Sequence, residues 1–107
     1  MARQAEWQSA QATGVYAGAA EDRSDGFIHL STAAQVRESA ARHRAGEAGL
    51  ILLACDPAAL GAGLRWEPAR GGQLFPHLYG PVPLAAVVWA KPLPLGPDGM
   101  HVFPALG

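Results

Sequence analysis

The chain has 107 residues, of which 50% are hydrophobic and 16% charged, and its formal net charge is −1. This length suits one domain around one hydrophobic core, and the charge excludes a basic nucleic-acid coat or an acidic tail over the whole chain. A single cysteine excludes an internal disulfide, and no apolar run approaches the roughly 20 residues of a membrane span, so we expect a cytoplasmic protein without membrane contact.

The first quarter of the chain contains a short helix and a strand. Residues 5–12 favour a helix that ends at Gly14, and residues 15–16 favour a short extended segment. Residues 17–25 are small and polar, which is typical of a surface loop. Residues 26–31 predict a strand because aromatic and β-branched side chains lie near its centre.

The clearest helix is predicted over residues 32–45. Thr32 and Gln35 have the spacing of a capping box, in which each side chain bonds the other residue's backbone amide. Gly46 suits the end of this helix. Residues 50–54 are continuously apolar, which predicts a buried strand.

The second half consists of short elements separated by Pro and Gly. We expect one helical turn at 57–60, short strands at 64–67 and 100–103, and a strongly buried strand at 84–90. Residues 73–79 contain Pro76 and are therefore expected to form an edge strand or a loop. Together these elements predict an α+β domain with two helices and five to seven short strands.

Few side chains of catalytic type occur in the sequence. They are His29, Ser31, Glu67, His77 and Tyr79, with Asp25, Tyr16, Arg65 and Arg70 near them in the chain. Strand alternation puts Phe27, His29 and Ser31 on one face, where the imidazole and the hydroxyl can reach one ligand. The alternative is a half-buried histidine that is hydrogen-bonded to backbone.

The other candidates lie in the second half. Glu67 at a strand end can accept ligand hydroxyls or act as a base, or it can be a solvated turn residue or a partner of Arg65 or Arg70. His77 and Tyr79 lie in a rigid aromatic and proline-rich segment suited to presenting side chains, although Tyr79 could instead fill core. The spacing of histidines and acids shows no metal-binding pattern, so we expect no metal.

Five segments along the chain match one known pattern. They are Trp7, Gly14-Val15-Tyr16, residues 25–32 (DGFIHLST), Trp66-Glu67-Pro68 and residues 74–80 (LFPHLYG). Over nearly the whole chain they resemble a small bacterial family, the domain of unknown function 952 family. The two histidine segments are the specific part of this resemblance.

That family is similar to the ADP-ribosyltransferase superfamily, which binds NAD in a cleft between small sheets. The resemblance implies an ADP-ribosyltransferase-like α+β fold of split β-sheets with two short helices over residues 1–107. The segment around His29 is similar to the second histidine motif of RNA 2′-phosphotransferases. On this likeness the catalytic residues are His29, Glu67 and His77, and the NAD-binding residues are Ser31, Tyr79 and Asp25.

The implied activity is binding of NAD or a related nucleotide, with transfer of ADP-ribose to a small or nucleic-acid phosphate acceptor. A second hypothesis is a two-histidine phosphoesterase, because His29-Leu30-Ser31 fits one of its motifs and residues 77–79 fit the other imperfectly. The usual catalytic glutamate of the transferases has no clear counterpart, which favours a third hypothesis, a non-catalytic module that binds a nucleotide or a protein. Since the net charge is negative, we expect a small-molecule or nucleotide ligand and no duplex nucleic acid.

Overall fold

The computed structural model describes residues 1–106, apart from the side chain of Arg70. The α-helices in this part of the chain are α1 (Gln4–Thr13), α2 (Ala20–Asp25), α3 (Val36–His43) and α4 (Pro57–Leu60). The strands are β1 (Ala2–Arg3), β2 (Val15–Tyr16), β3 (Ile28–His29), β4 (Leu50–Cys55), β5 (Leu64–Pro68), β6 (Leu74–Leu78), β7 (Val82–Pro83) and β8 (Val87–Leu93).

The strands form three small antiparallel sheets with the orders β1-β4-β8, β2-β7 and β3-β6-β5. Short helices and small sheets alternate along the chain, so the predicted α+β class is confirmed. The helix at the start, ended by Gly14 in the left-handed conformation, and the strand β4 are also found, although only Leu50 and Leu52 of β4 are buried.

The expected loop at residues 17–25 is wrong, because residues 20–25 form α2. Oδ2 of Asp22 accepts a hydrogen bond from the Ala19 amide at 2.8 Å, which satisfies a donor that the helix start leaves without a backbone partner. Gly26 ends the helix in the left-handed conformation with φ +86°. With α4, whose start is capped by Asp56, the described residues hold four helices rather than two.

The position of β6 also differs from the expectation, because it is the central strand of its sheet and not an edge. Pairing between β3 and β6 stops at His29 and His77. At the next position the Pro76 carbonyl accepts a hydrogen bond from the Leu30 amide at 3.0 Å. A proline has no N–H to donate, so its place beyond the last β3–β6 pair makes it tolerable there. The strand predicted at 26–31 is shortened to β3 because Gly26 still ends α2 and the pairing with β6 stops at His29.

The helix predicted over 32–45 is shorter at both ends. The capping-box hydrogen bonds are present, with 3.2 Å from the Gln35 amide to Thr32 Oγ1 and 3.0 Å from the Thr32 amide to Gln35 Oε1. These two bonds stabilise a separate turn that precedes α3, and they are not part of the first turn of the helix. The helix ends at Arg44, whose φ of −130° leaves the helical region before Gly46 is reached.

Two strand predictions near the C-terminus are wrong in extent. Residues 84–86 form a 3₁₀ turn, and β8 begins at Val87 because β4 pairs with it from Val87 to Leu93. Val88 is 66% exposed, so β8 is not strongly buried. Residues 100–103 form no strand, since a tight turn at 96–100 leaves only the single bridge between Leu95 and His101.

The buried side chains form two clusters instead of the single core expected from composition. The first lies between α1 and the two sheets that contain β2 and β3; it includes Ala10, Tyr16, Ile28, Leu78 and Val82. The second lies between α3 and the sheet of β4 and β8; it includes Val36, Leu50, Leu52 and Leu93. None of the described helices combines the length and apolar character that crossing a membrane requires.

Candidate functional site

The two histidines singled out in the sequence are direct cross-strand partners. β3 pairs with β6 in a register that sets His29 opposite His77, so both side chains lie on one face of the sheet. Their ring centroids are 5.7 Å apart with an interplanar angle of 68°. His77 is buried and the His29 side chain is 44% exposed, which places the pair at the border between the interior and the surface.

His29 is held by a carboxylate on α2. Oδ1 of Asp22 lies 2.6 Å from Nδ1 of the ring and also accepts the His29 amide at 3.1 Å. A second carboxylate oxygen, Oδ2 of Asp25, lies 3.0 Å from Nε2 of the same ring. Helix α2, which the sequence analysis missed, therefore brings both acids to the histidine.

His77 is held by a carboxylate on the other neighbouring strand. Oε1 of Glu67 on β5 lies 2.9 Å from Nδ1 of His77 and accepts the Tyr79 hydroxyl at 2.6 Å. The guanidinium carbon of Arg65 lies 5.5 Å from the centre of the Tyr79 ring. Each histidine thus has an acid at Nδ1, an arrangement that fixes the ring orientation and favours a proton on Nδ1.

An aromatic ring joins the two halves of the site. Phe27 stacks on His77 with centroids 4.3 Å apart, and it lies 4.6 Å from His29 and 5.2 Å from Tyr79. The alternation of the predicted strand puts Phe27 on the face of His29, as found. Its part in the site was not predicted.

The histidines line a cavity of about 550 Å³. Asp25 and Ser31 also line it, and Ser31 donates its hydroxyl to Ser39 Oγ at 3.1 Å. Among the described lining residues neither Glu67 nor Tyr79 occurs, so both act on the cavity through His77. The volume falls within the roughly 300–1,000 Å³ of small-molecule sites.

The carboxylates have shifted pKa values with separate causes. Burial of Asp22 favours the neutral acid, but hydrogen bonds from the His29 ring and from the amides of Ala19 and His29 outweigh it and lower its pKa. Hydrogen bonds from Tyr79 and, to a smaller extent, from His77 lower the pKa of Glu67. The bond between Tyr79 and Glu67 also raises the pKa of the Tyr79 hydroxyl. Both acids are therefore ionised at neutral pH.

The structure brings together most of the residues that the sequence singled out. His29 pairs with Asp25, His77 is hydrogen-bonded to Glu67, which accepts from Tyr79, and Phe27 contacts both histidine rings. Ser31 lines the same cavity as the two histidines. Tyr16 and His43 also line the cavity. The side chain of Arg70 lies outside the described part of the chain. Sequence reasoning missed Asp22, whose only signal was an acid seven residues before His29 in a segment interpreted as a loop.

Chemically, this arrangement offers two oriented imidazoles that can donate or accept protons on one cavity wall. Within residues 1–106, no three His, Cys, Asp or Glu side chains come together as a set that could hold a metal ion.

Known structures of one bacterial protein, CC0527 of Caulobacter crescentus, are similar to this fold. Its crystal structure is 45% identical, with a TM-score of 0.89 over 94% of this chain and 88% of that chain. A double-methionine variant gives 44% identity and a TM-score of 0.88 over the same shares. The solution NMR structure gives 45% and 0.81 over 92% of this chain and 85% of that one.

Among proteins with curated descriptions, none matches the chain. The family described as "Protein of unknown function (DUF952)" matches residues 1–90, which include every element that builds the histidine cluster. Since this match spans most of the sequence, the chain belongs to the DUF952 family, as its histidine segments suggested.

Proposed function

We propose that the cavity binds a nucleotide of the NAD type and that His29 and His77 handle protons at its ribose or phosphate groups. One observation carries the proposal: two imidazoles, each held at Nδ1 by an acid, are paired across one wall of a cavity of about 550 Å³. A histidine that only fills core needs no second oriented histidine beside it. The sequence resemblance to ADP-ribosyltransferases supports NAD as the first nucleotide to test.

The residues present fit such a ligand. The cavity is large enough for a nucleoside with its phosphates, and its wall offers His29, Ser31 and His77 to ribose hydroxyls or phosphate oxygens. Bound NAD would supply an ADP-ribosyl group, whose bond to nicotinamide breaks as a bond to an acceptor phosphate oxygen forms. Glu67 and Tyr79 orient His77, and Asp22 orients His29.

A second function is favoured by the same pair of rings. Two histidines 5.7 Å apart suit a phosphoesterase in which one acts as base and the other as acid. The second histidine motif of such a phosphoesterase requires a small hydroxyl residue two positions after the histidine, here His77. That position is Tyr79, whose hydroxyl is bound to Glu67 outside the cavity wall, so this function ranks below nucleotide binding.

Ligand binding tests the proposal directly. Isothermal titration calorimetry with NAD and with ADP-ribose at up to millimolar concentration should give saturable binding. His77→Ala should weaken it at least about tenfold, the loss expected when one hydrogen bond to a charged group is removed. His101→Ala is the matched control, since His101 lies outside this cavity.

Assays of catalytic turnover distinguish the transferase, the phosphoesterase and the non-catalytic binding module. Release of nicotinamide from NAD in the presence of a phosphorylated acceptor supports transfer, and hydrolysis of a 2′,3′-cyclic nucleotide supports the phosphoesterase. Binding without either reaction supports the non-catalytic module. If neither NAD nor ADP-ribose binds at millimolar concentration, nucleotide binding of the NAD type is rejected.

The ligand class is proposed on charge as well. With a net charge of −1 the chain releases few counterions from a nucleic-acid duplex, so a small molecule or single nucleotide is the partner to test first. Titration with a short DNA duplex at low salt checks this, and saturable binding would contradict it.

A further inference from the structure

We propose that the two histidines have opposite proton roles: His29 is a hydrogen-bond donor at Nε2 and His77 is an acceptor at Nε2. Asp22 is the positioning residue that fixes His29 in its role. The proton roles follow from the geometry of the protein alone, and only the class of ligand rests on the proposed nucleotide site.

Both nitrogens of His29 face acids. Asp22 Oδ1 lies 2.6 Å from Nδ1, and Asp25 Oδ2 lies 3.0 Å from Nε2. The contact with Asp22 is a hydrogen bond, whereas the contact with Asp25 is an ion pair without hydrogen-bond geometry. An ionised carboxylate beside each nitrogen favours a positive charge on the ring. The geometry therefore fits a doubly protonated, cationic His29.

His77 has an acid on one nitrogen only. Nδ1 lies 2.9 Å from Glu67 Oε1, and no residue in the described part of the chain hydrogen-bonds to Nε2. Donation from Nδ1 to Glu67 leaves the lone pair of a neutral ring on Nε2. Because His77 lines the cavity, this nitrogen is the acceptor available to a ligand.

The short distance between the rings favours one charge over two. With centroids 5.7 Å apart, two cationic rings would repel each other. Two carboxylates face His29 and one faces His77, so the single positive charge is better placed on His29. Phe27 lies against both rings and adds no charge or proton.

A cationic donor beside a neutral acceptor selects a ligand that carries an anionic oxygen near a hydroxyl. A sugar phosphate, such as the ribose phosphate part of a nucleotide, has this pattern. The hydroxyl donates to Nε2 of His77, and the phosphate oxygen accepts from Nε2 of His29 and displaces the ion-pair contact with Asp25, whose side chain is 54% exposed. Asp25 therefore competes with the ligand's anionic group, whereas Asp22 supports its binding.

The proton roles are measured by NMR of the histidine ring nitrogens in ¹⁵N-labelled wild-type protein at neutral pH, without ligand. We expect both nitrogens of His29 to have the shifts of protonated nitrogen, and His77 to show protonated Nδ1 with unprotonated Nε2. Signals are assigned with His29→Gln and His77→Gln. A neutral His29, a cationic His77, or the same state in both rings overturns the proposal.

Two substitutions that remove the same charge from one helix provide the second test. Asp22→Asn should remove the doubly protonated signature of His29 and weaken binding of ribose 5-phosphate at least about tenfold. Asp25→Asn should strengthen that binding, since it removes the competing carboxylate. Glu38→Gln, on the exposed face of α3, is the control for the loss of one negative charge.

Each outcome has one meaning. Equal effects of the Asp22 and Asp25 substitutions on binding contradict their separate roles. If Asp22→Asn does not fold, the wild-type ring spectrum and the Asp25→Asn titration still decide. If the ring states are as expected but neither ribose 5-phosphate nor NAD binds, the proton roles stand and the proposed nucleotide function fails. If NAD binds while the ring states differ, the function stands and this inference fails.

Discussion

Asp22 and His29 are joined twice through one oxygen atom. Oδ1 of Asp22 lies 2.6 Å from the ring Nδ1 and accepts the backbone amide of the same residue at 3.1 Å. The other oxygen accepts the Ala19 amide at 2.8 Å. A single carboxylate therefore ties the start of α2 to β3 and to the imidazole, so the stability of this region and the geometry of the site depend on its ionisation.

Acid should weaken the fold through Asp22. Its pKa is lowered in the folded protein, so its carboxylate stabilises the fold at pH values above the ordinary 3.8. That stabilisation is lost as the pH falls from this value through the lowered folded pKa, because the proton then binds the unfolded chain more tightly. Urea unfolding across this acidic range should show the loss in wild type and a shallower loss in Asp22→Asn.

At neutral pH the same substitution should lower the free energy of unfolding by about 2 kcal/mol, the scale of hydrogen bonds to a charged group. Asp98→Asn is a suitable comparison, since Asp98 accepts one amide in an exposed turn. Equal losses in the two variants would show that the buried contacts of Asp22 have no special weight.

Gly18 should tolerate no side chain because it packs against Asp22. Its φ is +88°, and a Cβ there would lie 3.0 Å from Asp22 Oδ2 and 3.1 Å from Ile28 Cγ1. Gly14 has a similar φ of +90° but no atom within 4 Å of such a Cβ. Both Gly→Ala variants should lose about 1–2 kcal/mol for the left-handed backbone, and Gly18→Ala should lose more. Equal denaturation midpoints would exclude the packing effect.

Glu67 should control the titration of Tyr79. Its hydrogen bond raises the pKa of the phenol, so Tyr79 should ionise at higher pH than a free tyrosine. Glu67→Gln removes the negative acceptor and should shift the absorbance titration of this phenol to lower pH. Tyr16→Phe isolates the signal, because burial also raises the pKa of Tyr16. An unchanged titration in Glu67→Gln would mean that the Tyr79–Glu67 bond does not form in solution.

Local patterns predicted those parts of the fold that local chemistry determines. The helix ended by Gly14 and the apolar strand β4 follow from turn chemistry and hydrophobicity alone. Helix α2 was not found in this way, since Asp22 holds it in place by accepting the Ala19 amide at its start and the His29 amide of β3. Helix propensity is a weak guide to secondary structure where tertiary contacts determine the conformation of a segment.

In the candidate site, too, local relationships were predictable from the sequence and contacts between distant segments were not. Alternation along one strand placed Phe27 and His29 together, which is a local relationship. The pairing of His29 with His77 depends on a register between segments almost fifty residues apart in the chain, and Pro76 suggested an edge strand or loop instead. Residue type singled out His77 and Glu67, the resemblance to a family implied their roles, and only the three-dimensional structure supplied Asp22.

The buried Leu78 should contribute more to the free energy of unfolding than the exposed Leu74 on the same strand. Leu78 is 2% exposed and follows His77 on β6, whereas Leu74 begins the same strand and is 51% exposed. Leu78→Ala leaves a cavity in the first cluster and should lower the free energy of unfolding by about 2–5 kcal/mol. Leu74→Ala should lower it by about 0.5 kcal/mol or less, as for ordinary surface substitutions. Chemical denaturation of both variants checks this, and similar losses would mean that β6 is not packed against the core through Leu78.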